Sequence, residues 1–150
     1  MAVAIVRPIE YGDVEAAVAL LRGGSLRPEF EEVTRVDDYW SAVEETRRQR
    51  GDVVVAEVDG EVVGVLQVII FQHFQHAGGW CCEIESVHVR SDLRSRGIGA
   101  QLLAAAEDLA KARACYRIQL TSRNVRVDAH RFYLANGYDQ TSQGFKKFFD

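Results

Sequence analysis

Polar and apolar positions alternate over residues 83–89, where Ile84, Val87 and Val89 are β-branched, and this period of two predicts a strand. The period changes at Ile98. Ile98, Leu102, Leu103, Ala106, Leu109 and Ala110 recur at helical spacing, which predicts a helix starting near Gly97 with one apolar stripe turned toward a sheet. Upstream, residues 52–58 and 61–74 flank Asp59-Gly60, a dipeptide that supplies the positive φ angles a two-residue hairpin turn needs.

The rest of the chain punctuates more weakly. Residues 3–7 form a short apolar run ended by Pro8, which predicts a first strand at a sheet edge. Asp13 is the expected cap of a helix carrying Val14, Ala17, Val18 and Leu21, stopped by Gly23-Gly24. Residues 25–36 have no period and read as a loop, either a lid over an acceptor or a plain connector. Asp37 or Asp38 caps a second helix to about Arg50, with Trp40 and Val43 inward. Residues 72–80 make a polar, aromatic turn. After the central strand and helix, residues 117–121 predict a strand, 127–135 a helix stopped by Asn136-Gly137, and Tyr138 with 145–149 the last strands. The order β-α-α-β-β-β-α-β-α-β-β is a mixed α/β (α+β) layer with helices on both faces.

At 150 residues and 47% hydrophobic content, a single domain over 1–150 can bury a core without staples. The net charge of −4 argues against a general nucleic-acid binder. Cys81, Cys82 and Cys115 are odd in number with two adjacent, which fits a reducing cytoplasm better than a disulfide framework. The opening residues lack the basic region of a signal peptide, and no apolar run reaches membrane-spanning length. A soluble cytoplasmic protein with no membrane partner is expected.

Between strand and helix stands Arg94-Ser95-Arg96-Gly97-Ile98-Gly99-Ala100. A helix N-terminus offers unpaired N–H groups and the positive end of its dipole, and glycines admit a ligand oxygen close to the backbone. With two arginines beside it, the expected guest is a phosphate or pyrophosphate. A P-loop would need GxxxxGK, which is absent, and a dinucleotide fingerprint would need glycine where Leu102 stands. Arg94-x-x-Gly97-x-Gly99, after a strand ending in Val87-His88-Val89, resembles the acetyl-CoA motif of the GNAT superfamily of N-acetyltransferases. That resemblance implies the GNAT acyl-CoA N-acyltransferase fold, a central mixed, mostly antiparallel sheet flanked by helices. It also implies acetyl-CoA as co-substrate, contacted by Val87, His88, Val89, Arg94, Ser95, Arg96, Gly97, Ile98, Gly99 and Ala100.

Acetyl transfer from a thioester to an amine needs a base for an ammonium of pKa about 10.4 and an acid for a thiolate of pKa about 8.5. It also needs a donor for the tetrahedral oxyanion. Glu83 and Glu85 share a face of the central strand by its period. Glu85, nearer the cofactor motif, is the expected base, directly or through a water, with Glu83 a substitute or an anchor for the ammonium. His88 competes as base, but strict alternation puts it on the opposite face. The segment Asp128-Ala129-His130-Arg131-Phe132-Tyr133-Leu134-Ala135-Asn136-Gly137-Tyr138 resembles the second GNAT motif, which implies Tyr133 as general acid. Beside Phe132 and Leu134 it also reads as a core aromatic. Many members have an asparagine seven residues before this tyrosine. Here that position is Arg126, so Asn124 or Arg126 contacts the cofactor.

A finer likeness, in His73, His76, Trp80, Glu83-Ile84-Glu85 and Asn124-x-x-x-Asp128-Ala129-His130-Arg131-Phe132-Tyr133, is to aminoalkylphosphonate N-acetyltransferases. It implies a small primary amine bearing an anionic group. A divalent metal is associated with that group, and His73 and His76 would suit a metal or a phosphonate, although no ligand set for a metal is read from the sequence. A homodimer is common in proteins this one resembles. The acidic run Glu29, Glu31, Glu32, Asp37 and Asp38 leaves open a polycation, a protein lysine or an N-terminus as acceptor. A non-catalytic acyl-CoA-binding regulatory module is the other class.

Overall fold

Strict two-residue turn chemistry sets the middle of the molecule. In the computed structural model, which describes residues 3–149, Asp59 (φ 50°) and Gly60 (φ 81°) both adopt the left-handed conformation. They join β2 (Asp52–Val58) to β3 (Glu61–Gln72) as the sequence requires. Met1, Ala2 and Asp150, the ends of the expected 1–150 domain, lie outside the described residues. The other strands are β1 (Ile5–Pro8), β4 (Trp80–Val89) and β5 (Cys115–Leu120). The helices are α1 (Val14–Gly24), α2 (Val36–Arg48), α3 (Ile98–Ala112) and α4 (Val127–Ala135), with short 3-10 turns between some of these elements.

The five strands lie in sequence order. Pairs β1/β2, β2/β3 and β3/β4 are antiparallel, and β5, reached through α3, makes the sheet mixed. The residues fall into two compact units, one to Gln119 and one from Leu120. In the first, α1 and α2 cover one sheet face with Ile9, Val14, Ala17, Val18, Val43, Val55 and Val65 in one buried cluster, against which Tyr39 and Trp40 pack. Of the stripe predicted for α3, Ile98, Leu102, Leu103, Ala106 and Ala110 are buried and Leu109 is half-buried. Among the described residues no helix is long and apolar enough to cross a membrane.

Three expectations change. Neither Asp37 nor Asp38 caps α2: Arg35 precedes the helix and both aspartates lie in its first turn, where Asp37 accepts from the Tyr11 hydroxyl at 2.7 Å and Asp38 from Arg35 Nε at 2.6 Å. Asp13 does not cap α1 with its side chain. Its carboxylate accepts paired hydrogen bonds from Arg7 at 2.6 and 3.0 Å and one from the Glu10 N–H at 2.8 Å, and the Arg7 guanidinium holds its carboxyl below the usual range. The bidentate partner is the stronger competitor for those oxygens. In the second unit, residues 138–149 form no strand. Strand conformation is held by a ladder partner, and the segment makes no ladder, so Phe145 and Phe149 stay exposed.

A Cβ at Gly51 would overlap the Val68 carbonyl oxygen and stand 3.0 Å from Thr46 Cγ2, whereas one at Gly12 would meet nothing within 4 Å. Gly51→Ala is expected to cost about 1–3 kcal/mol in chemical denaturation. Gly12→Ala should change stability by less than about 0.5 kcal/mol. Equal effects would overturn the close approach of the α2–β2 connection to β3.

Candidate active site

The turn before α3 is built to leave donors open. Gly97 is the residue preceding the helix, with φ 84°, and no side chain caps the N-terminus. The first helical bond runs from the Gln101 N–H to the Gly97 carbonyl at 3.1 Å, so the N–H groups of Ile98, Gly99 and Ala100 precede it. A Cβ at Gly97 would meet nothing within 4 Å. Arg94, Ser95 and Arg96 are exposed around this opening, and Arg94 Nε donates to the Val89 carbonyl at 3.3 Å. Outward N–H groups, open space and two guanidinium groups fit a pyrophosphate such as that of acetyl-CoA.

Strand β4 breaks its own alternation. Its register against β3 runs Ile69 with Glu83 and Gln67 with Glu85, then Val65 with His88 and Gly64 with Val89. Ser86 and Val87 therefore oppose Leu66 alone, a bulge in which Ser86 takes φ 58°. The extra residue reverses the parity that follows. Val65 belongs to the core under α1 and α2, and Gln67 donates to Thr46 Oγ1 of α2 at 3.0 Å. Cross-strand partners share a face. Glu83, Glu85 and His88 thus all project toward α1 and α2, and the expectation that His88 faces away from Glu85 is corrected. A Cβ at Gly24, the last residue of α1, would overlap the His88 ring, which explains the glycine there.

On this face a cavity of about 250 Å³ is lined by Ala42, Glu45, Thr46, Gln49, Gln67, Ile69 and Ile70. The partners of Glu83 and Glu85 on β3 are two of these lining residues. Glu85 is exposed, while Glu83 is half-buried and its Oε2 is buried without a hydrogen-bond partner. Thr46 and Gln67 carried no motif. Only the pairing of an interior polar strand residue with a polar position on the inward stripe of α2 could have drawn attention to them.

In the second unit, Tyr133 lies on α4, half-buried, with its ring centroid 5.3 Å from Phe132 and 6.1 Å from Tyr138. Asn124 is exposed in the turn before the helix and Arg126 directly precedes it. Back in the first unit, His73 Nδ1 and the Tyr116 hydroxyl are 2.6 Å apart, and the His76 ring centroid lies 4.7 Å from that of Tyr116. The two histidines pack around a tyrosine in a turn where His76 and Ala77 have φ of 53° and 54°. Among the described residues no group of three or more metal-ligating side chains converges.

The acetyltransferase (GNAT) family model matches residues 22–138. Over 89 residues, 59% of this chain, the sequence is 40% identical to an aminoalkylphosphonate N-acetyltransferase of Salmonella typhimurium, and the match covers 57% of that protein, little more than half its length. A structure described as a transcriptional regulator from Bacillus halodurans superposes with a TM-score of 0.89 at 33% identity, over 98% of this chain and all of the other. Glucosamine-6-phosphate N-acetyltransferase of Arabidopsis thaliana shares the fold, with a TM-score of 0.81 at 22% identity over 99% of each chain.

Cys81, Cys82 and Cys115 are free. Burial pushes the Cys82 thiol up to about 12 and raises that of Cys115, so thiolate is scarce at neutral pH. A thiol-reactive dye at pH 8 is expected to leave Cys81 and Cys82 unlabelled in the folded protein and to label all three cysteines in denaturant. Rapid native labelling of Cys82 would overturn this.

Proposed function

This chain belongs to the GNAT family of acetyltransferases, and from that membership we propose that it is an acetyl-CoA-dependent N-acetyltransferase. The acceptor is the primary amine of a small molecule, attacking directly in a ternary complex. The observation that carries this reading is the uncapped α3 N-terminus behind Arg94 and Arg96, following a strand that turns two carboxylates to one cavity-bearing face. The family match runs from 22 to 138 through both compact units, which supports reading 1–150 as one domain.

Acetyl-CoA supplies the acetyl group as a thioester. The N–H groups of Ile98, Gly99 and Ala100 bind its pyrophosphate, with Arg94, Ser95 and Arg96 around it and Asn124 or Arg126 as further contacts. Glu85 accepts a proton from the acceptor ammonium, directly or through a water, and passes it to solvent. The freed nitrogen lone pair attacks the thioester carbonyl carbon, and strand N–H groups of Val87, His88 and Val89 are the donors offered to the oxyanion. As the carbon–sulfur bond breaks, Tyr133 gives its hydroxyl proton to the thiolate and regains one from the new amide nitrogen. Cys81 and Cys82 are buried and the thiols of Cys82 and Cys115 are raised, which disfavours an acyl-cysteine intermediate and supports direct attack.

The name of the Salmonella relative makes aminoalkylphosphonates the first acceptors to try. The description of the Bacillus halodurans structure keeps a second reading, a regulatory acyl-CoA-binding module, in view. Turnover separates the two. CoA release measured with acetyl-CoA and a panel of amines and a lysine peptide should find an acceptor. With it, Glu85→Gln and Tyr133→Phe should each lower kcat about 10²- to 10⁴-fold while acetyl-CoA binding persists. Unchanged kcat in both variants would remove these two roles, and acetyl-CoA binding without turnover would favour the regulatory module.

A further inference from the structure

We propose that Gln67 binds the acceptor amine through its amide oxygen, holding the nitrogen beside Glu85, and that Thr46 is the positioning residue that turns this oxygen outward. This rests on the N-acetyltransferase reading and adds two residues to that same site. Gln67 interrupts an otherwise apolar row on its face of β3, which reads Val65, Gln67, Ile69 and Phe71. It reaches Thr46, a buried polar side chain on α2. An apolar pair of similar shape would fill the same space without two polar groups to satisfy.

The hydrogen bonds of the pair fix its polarity. Thr46 Oγ1 gives its one proton to the Ala42 carbonyl, four residues back along α2, at 2.7 Å. Toward Gln67 it can then only accept, and it takes a hydrogen from Nε2 at 3.0 Å. With the amide nitrogen committed to the helix, Oε1 points away from it, and among the described residues no donor meets that oxygen. Glu83 Oε2 is sealed in without a partner, whereas Gln67 lines the cavity of about 250 Å³ and keeps Oε1 accessible. The Glu45 carboxylate at the same cavity is already engaged, by Arg48 Nε at 2.9 Å and Gln49 Nε2 at 2.7 Å. Gln67 stands directly opposite Glu85 in the strand register. Opposed side chains leave the sheet about 4.5–5.5 Å apart at Cβ, so one nitrogen can bond to both. An alkyl ammonium has three N–H donors: the proton given to Glu85 departs, and another N–H stays on Gln67 Oε1 after deprotonation. A neutral amide holds the nitrogen without adding to the negative charge that keeps an ammonium protonated, as a second carboxylate would.

Steady-state kinetics of the full chain test this with acetyl-CoA and each amine of the panel that is acetylated, an aminoalkylphosphonate first. Gln67→Met, which keeps length and loses the oxygen, is expected to lower kcat/KM for the amine about 10- to 100-fold, while acetyl-CoA binding, followed by thermal shift, is unchanged. Thr46→Val should show part of that loss and Thr46→Ser should retain the wild-type rate. Because Thr46 acts through Gln67, the double variant Thr46→Val, Gln67→Met should be no slower than Gln67→Met alone. A Gln67→Met kcat/KM within about threefold of wild type, or losses that add in the double variant, would overturn the assignment and leave the transferase standing. If Gln67→Met does not fold, equal kcat/KM in Thr46→Val and Thr46→Ser overturns it instead. If acetyl-CoA binds and no amine is acetylated, both readings fail.

Discussion

The two-against-one register of β4 is the constraint on which the candidate site depends. Ser86 and Val87 share a single opposite residue on β3, and Ser86 accepts a left-handed φ that costs a non-glycine residue about 1–2 kcal/mol. The neighbouring ladder bonds, with Val65 and Gly64 on one side and Gln67 on the other, hold that strained residue in place. In return the strand turns Glu83, Glu85 and His88 to one face. Without the extra residue His88 would lie on the α3 face, and α1 would have no ring to accommodate at Gly24.

The two helical layers then divide the work. The α3 side carries the dense apolar stripe and ends, at its start, in a Gly97 whose missing Cβ leaves the backbone donors reachable. The α1 and α2 side is less tightly filled beyond its core cluster, and its cavity is lined by Gln67 and Ile69, the β3 partners of Glu85 and Glu83. The uncapped α3 terminus and the cavity-bearing α1 and α2 face are different surfaces of the same strand-turn-helix.

Much of the fold was legible from residues 52–112, where periodicity and turn chemistry agree with each other. Asp59-Gly60 forms the hairpin, the period switches from two to 3.6 beside Gly97, and the buried α3 positions are those of the predicted stripe. The chain ends were less legible. Asp13 has the composition of a helix cap, yet Arg7, six residues away and on another element, takes both carboxylate oxygens. Tyr138 and 145–149 have strand composition, but composition supplies no ladder partner.

By itself the sequence determined what local rules control: the strands and helices of the middle, the exposed donors before α3, and the identity of the two carboxylates on β4. It could not determine where His88 points, because a bulge is decided by how two strands settle against each other and by the helices packed over them. It could not show that Thr46 and Gln67 meet across 21 residues, or that one oxygen of Glu83 is buried without a partner. Those are facts of long-range packing, where a side chain's surroundings come from distant segments.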